Sequence, residues 1–129
     1  DHTNLNYWMP LVTQVYVNRG HADTRDGVGT IRYVHFGALY TLREYVIAFD
    51  PPHLIALSIE QDPLFANHMS VLLLEAERYG GTNLTWRHYF RTSTLPAILG
   101  PLLAGVVNQW AAGAVRNLTV RFGGRPLKD

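Results

Sequence analysis

The stretch LPAILGPLLAGVVNQWAAGAVRNLTV, running from Leu95 to Val120, carries the long helical pattern of this chain. Apolar side chains at Leu99, Leu103, Val106, Val107, Trp110, Ala114 and Leu118 recur at helical spacing, with Asn108, Arg116 and Asn117 at polar positions between them. Gly100, Pro101, Gly105, Asn108 and Gln109 interrupt the apolar run. A membrane span needs about 18 or more consecutive apolar residues, so none is expected. A lone helix of this kind has to bury its broad apolar face against something, and the residues ahead of it supply the surface.

Those residues read as strands and tight turns. Leu11 to Val17 is short, β-branched and partly alternating, and it closes in the turn signal Asn18-Arg19-Gly20. Thr30 to Phe36 alternates again, after a glycine pair, Gly27-Val28-Gly29, whose job is the turn. Leu39 to Phe49 is a longer strand, ended by Asp50-Pro51-Pro52 because proline has no N–H to give a ladder. Leu54 to Ile59 makes the fourth strand, and Gln61-Asp62-Pro63 a loop. Asn67 to Glu77 and Thr82 to Thr92 flank Gly80-Gly81 as a hairpin. Short connections pair neighbours, so the pattern predicts a six-stranded antiparallel meander followed by a helix. The fold class is α+β. One domain is expected over residues 1–122, with residues 123–129 a disordered tail beginning Gly123-Gly124-Arg125-Pro126.

Composition agrees with one domain: 129 residues, 47% hydrophobic, suffice for a single core. Lys and Arg number 11 against 10 Asp and Glu, and the basic residues are scattered, which argues against nucleic acid as a partner. There is no cysteine, which excludes disulfides and thiolate catalysis and suits a reducing, cytoplasmic setting. Asp1-His2-Thr3-Asn4 shows no leader pattern, although a leader removed earlier would read the same. His-x-x-His spacing is absent, so no metal is predicted. Gly27-x-Gly29 opens a strand rather than a helix and is no dinucleotide fingerprint, so no cofactor is expected either. The glycosylation patterns at Asn83 and Asn117 fall inside a strand and a helix and are read as fortuitous.

Alternation sorts the strand residues into faces, because side chains two apart share one. Thr30, Arg32, Val34 and Phe36 lie together, as do Tyr40, Leu42, Glu44, Val46 and Ala48. A turn centred near Ala38 sets Arg32 opposite Glu44. Two readings stay open: a surface ion pair worth about 0.2–1 kcal/mol, or a buried pair that holds charge at a cavity wall. Leu84, Trp86, His88 and Phe90 share an inward face on the last strand. A histidine there suits general acid–base chemistry, since its ordinary pKa lies near 6.5, or it is simply a hydrogen-bonded core residue. His68 invites the same two readings, whereas His35 is expected on the opposite face from Arg32. Glu75 and Glu77 read as the solvated end of a strand, leaving Leu72 and Leu74 on the ligand side. Trp8, Trp86 and Trp110 are large rings for the core or for a cavity cut into it.

Taken in order, Trp8-Met9-Pro10, Gly27-x-Gly29-Thr30-x-Arg32, Glu44, Asp50-Pro51-Pro52 and Gly80-Gly81-Thr82-x-x-Thr85-Trp86, then the long helix, resemble the polyketide cyclase/dehydrase group of the START-like (SRPBCC) superfamily. The resemblance spans roughly residues 7 to 122. It implies a helix-grip (START/Bet v 1-like) fold, in which an antiparallel sheet wraps a long C-terminal helix and encloses a hydrophobic cavity. It also implies a further strand and short helices before Trp8, so the domain is expected to be N-terminally incomplete, or else a homodimer contact covers the open edge.

Three functions follow. The first is binding of a small hydrophobic or polyketide-like molecule, lipids included, by Trp8, Thr30, Tyr40, Leu42, Leu72, Leu74, Trp86, Phe90, Leu103, Val107 and Trp110. The second is a polyketide cyclase or dehydratase in which the resemblance maps an arginine and a hydroxyl onto Arg32 and Thr30, with Glu44 or His88 moving protons. The third is a non-catalytic interaction or assembly module that uses the open edge.

Overall fold

The computed structural model describes residues 1–59, 62, 65–91 and 99–127. Six strands follow one another as a meander: β1 (Gln14–Asn18), β2 (Ile31–Phe36), β3 (Tyr40–Asp50), β4 (Leu54–Ile59), β5 (Ala66–Ala76) and β6 (Thr82–Arg91). They form one antiparallel sheet in sequence order, and helix α1 (Leu99–Phe122) closes the chain. This is the expected α+β arrangement of the helix-grip fold. Gly29 makes the turn into β2 at φ 92°, where any side chain would run into the His21 carbonyl. β3 ends at Asp50, as the proline pair requires.

Several boundaries differ from expectation. Strand one begins at Gln14 rather than Leu11, because Leu11 turns the chain at φ 66° and is exposed. A 3-10 helix, η1 (His2–Tyr7), precedes it and buries His2 and Leu5. The Asp1 carboxylate caps this helix by accepting from the Thr3 N–H at 2.9 Å, a role that one short polar stretch does not announce. Residues 95–98 of the expected helix, and Thr92 of the last strand, lie outside the described residues. At its other end the helix runs on to Phe122. Gly123–Leu127 are exposed and carry no regular structure beyond a turn at Gly123.

The core sits on the inner face of the sheet, where Leu5, Met9, Val12, Val34, Leu42 and Ile59 cluster. α1 meets this face through one large ring. Trp110 lies 5.5 Å from Trp86 and 6.0 Å from Phe36, ring centre to ring centre. Its indole N–H donates to the Pro10 carbonyl at 2.6 Å, and the Asn117 amide donates to the Trp8 carbonyl at 2.9 Å. Within α1 only Ala114 is buried among the described residues; Leu103, Val107, Trp110 and Leu118 are half-buried. Val106 and Leu99, placed by spacing on the apolar face, are exposed instead, together with Leu102. The helix thus buries a narrower stripe than its apolar content allows.

Candidate functional site

Ladder register brings the polar residues of the inner face into two adjacent rows that cross the sheet. In the first, Arg32 pairs with Glu44, Glu44 with Ile59 and Ile59 with His68. In the second, Thr30 meets Val46 through a backbone hydrogen bond, then Val46 pairs with Leu57, Leu57 with Ser70 and Ser70 with His88. Thr30, Arg32, Glu44, His68 and Ser70 are all buried. Buried polar groups ordinarily find partners, so each one has to be accounted for.

The charged end is accounted for in part. Arg32 and Glu44 form an ion pair through Nε and Oε2, with side chains 6% and 10% exposed. The pair is therefore buried, and the surface reading falls. Burying such a pair is costly unless hydrogen bonds satisfy both partners. Yet the two terminal amino groups of the guanidinium have no partner among the described residues. Beside it, the Thr30 hydroxyl is fully buried and without a partner. His2 lies close by on η1, its Nε2 at 3.1 Å from the Asp26 carbonyl, and burial lowers its pKa against the opposing effect of that hydrogen bond.

At the far end the rows terminate in two histidines. His68 Nε2 and His88 Nδ1 are 3.3 Å apart, while His68 Nδ1 and His88 Nε2 are buried with no partner. A register shift between Ala66 and Met69, with Asn67 at φ 52°, brings His68 to this position. Burial pushes the His68 pKa down, and burial with the neighbouring His68 pushes His88 down to about 4.

Aromatic rings wall this floor. Trp86 lies 5.9 Å from Trp8 and 4.5 Å from His88, and its N–H donates to Ser70 Oγ at 2.7 Å. Phe65 and Phe90 meet edge to face at 5.3 Å beside His68. Tyr40 donates its hydroxyl to Asp62 at 2.6 Å, and burial with that bond raises its pKa. A recess of about 390 Å³ opens at this end, lined by Asn67, His88, Tyr89, Phe90 and Arg91. Among the described residues no group of three or more metal-ligating side chains converges.

Over residues 1–123 the sequence matches the family described as polyketide cyclase / dehydrase and lipid transport. The chain belongs to that family. A search of curated proteins found no match. Membership in the polyketide cyclase/dehydrase family implies a ligand-binding helix-grip domain, and no described helix is long and apolar enough to cross a membrane.

Within this family member the expected residues do converge in part. Arg32, Thr30 and Glu44 lie at one end of the polar rows and His88 at the other, beside Trp86, which in turn meets Trp8 and Trp110. Leu42 is buried, and Leu72 and Leu74 sit opposite Trp86 and Leu84. Tyr40 stacks on Phe36, while Leu103 and Val107 lie half-buried on α1. Glu75 and Glu77 are exposed, and His35 is on the outer face bonded to Thr41. Sequence reading missed Ser70 as the acceptor for Trp86 and His2 as a buried neighbour of Arg32. Ser70 had a signal, since it shares the inward alternation of Leu72 and Leu74; His2 had none.

Proposed function

We propose that this polyketide cyclase/dehydrase family member binds a small, largely apolar, polyketide-like ligand between α1 and the inner face of the sheet. Arg32 and Thr30 donate hydrogen bonds to a ligand carbonyl, and Glu44 fixes the guanidinium. The observation that carries this reading is the fully buried Thr30 hydroxyl, without a partner, beside an arginine engaged through Nε alone. Pockets of this sort combine apolar walls with a few oriented polar groups, which is what the aromatic cluster and the two rows supply. A cyclase or dehydratase uses the same site and adds proton transfer by Glu44 or His88; the burial of both rows favours it over a plain carrier.

Native mass spectrometry of gently purified protein tests the binding directly. A co-purified hydrophobic molecule is expected, and Arg32→Met should weaken retention of a carbonyl ligand by about 10-fold or more, the value of a hydrogen bond to a charged group. If apolar probes find no site and Arg32→Met leaves ligand retention unchanged, the reading is wrong.

A further inference from the structure

Two strands carry more apolar residues than one buried face uses. β4 reads Leu54-Ile55-Ala56-Leu57-Ser58-Ile59, and β5 includes Met69-Ser70-Val71-Leu72-Leu73-Leu74. A strand with one face in water alternates apolar with polar, whereas a strand covered on both faces does not. Ile55, Leu57, Ser70 and Leu72 share the inner face with Trp86 and His88. Leu54, Ala56, Met69, Val71 and Leu73 therefore lie on the outer face, away from α1. Ile47 adds to them at the register shift in β3; it is 45% exposed, and Met69 is 37% exposed. Scattered exposed hydrophobes need no account, but neighbours across a ladder do.

The outer residues form rows across the sheet. Tyr45, Ser58, Met69 and Tyr89 make one row, and Ala48, Ala56, Val71 and Arg87 the next. Arg43 lies on β3 before the first row, its guanidinium against the rings of Tyr33 and Tyr45, and Asp50 lies on the same strand after the second. An apolar centre edged by tyrosine and arginine is the composition of a protein interface.

We propose that a second copy of this chain covers the outer face, related to the first by a twofold axis that runs across the strands between these two rows. Facing sheets then stack strand over strand, to within the roughly 30° of aligned sheets. The rotation sets Met69 against the partner's Val71, Ser58 against the partner's Ala56 and Tyr45 against the partner's Ala48. It also sets Tyr89 against the partner's Arg87 and Arg43 against the partner's Asp50. Large side chains thus oppose small ones, and each cation opposes a ring or a carboxylate.

The charges fix both the axis and the occupant. Moved onto the first row, the axis would set Arg87 against the partner's Arg91, and moved onto the second it would set Arg87 against its own copy; like charges facing each other oppose association. An acidic partner or a membrane suits Arg43 and Arg87 but not Asp50 on the same face. A second copy, turned about, suits both.

Sedimentation equilibrium of the full chain tests this. The wild type, 14.6 kDa, should sediment as a dimer of about 29 kDa, with a Kd of about 10 μM or lower. Arg43→Asp and Asp50→Arg should each weaken dimerisation about 100-fold, because each places two like-charge pairs in the interface. The two changes together should return Kd to within about 3-fold of wild type. Met69→Asp should leave a monomer.

A wild type that stays monomeric at about 200 μM overturns the proposal. So does a dimer that survives all three single changes, or a double variant no tighter than the single ones. A monomer that instead pellets with phosphatidylglycerol vesicles gives the face to a membrane and overturns it too. Should the variants fold poorly, NMR of a mixture of carbon-13-labelled and unlabelled wild-type chains decides. Magnetisation transfer between copies that reaches the Met69 methyl group supports the proposal, and its absence there overturns it.

Discussion

The two ends of the buried polar rows solve one physical problem in opposite ways. At β2 and β3 the sheet buries full charges and pairs them, Arg32 with Glu44. At β5 and β6 it buries two titratable rings and keeps them uncharged, His68 with His88. The first end is held by attraction between partners and is intolerant of losing one of them. The second depends on solvent pH, because protonation brings a charge into a place with no partner for it.

The largest expected effect comes from breaking the charged end. Glu44→Leu strands a buried guanidinium and should cost about 3–5 kcal/mol in urea unfolding, whereas adding Arg32→Met should restore most of it. A single and a double variant of equal stability would show that the pair is not sealed from solvent. Acid comes next. His68 and His88 have folded pKa values below the unfolded value of 6.5, so their contribution is complete above about pH 6.5 and is lost as pH falls toward about 4. The slope should not exceed about 1.4 kcal/mol per pH unit for each ring. His88→Phe should flatten the acid limb of the stability profile, and an unchanged limb would assign it to other groups, His2 among them. The smallest effect is the control on the outer face. His35→Ala removes a bond to Thr41 and an edge contact with Tyr16, and should shift stability by about 0.5 kcal/mol without altering the pH profile.

The charged end was legible in the sequence because it depends on period-two alternation and a short turn. Counting from Ala38 puts Arg32 across from Glu44, and the ladder does the same. What alternation could not say was whether that face is wet, since burial depends on parts of the chain far off in sequence, the η1 residue His2 near Arg32 among them. The histidine end was harder to read. His68 and His88 meet across a register shift at Asn67, and a bulge is a departure from the period that sequence reading relies on. The helix was legible as an element, but its buried stripe was not. Val106 obeys helical spacing and is nonetheless exposed, while Trp110 reaches Trp86 and Phe36.

The bonds from Trp110 and Asn117 to the carbonyls of Pro10 and Trp8 join residues 100 and 109 positions apart. Every strand pairing, by contrast, is between neighbours in sequence order. Contacts of long sequence separation carry the larger loop-closure entropy, so the meander assembles ahead of them. The helix thus docks on the sheet with the last step of folding, when α1 is latched to Trp8 and Pro10. Opening that latch frees α1 from these two carbonyls while leaving every ladder of the sheet intact.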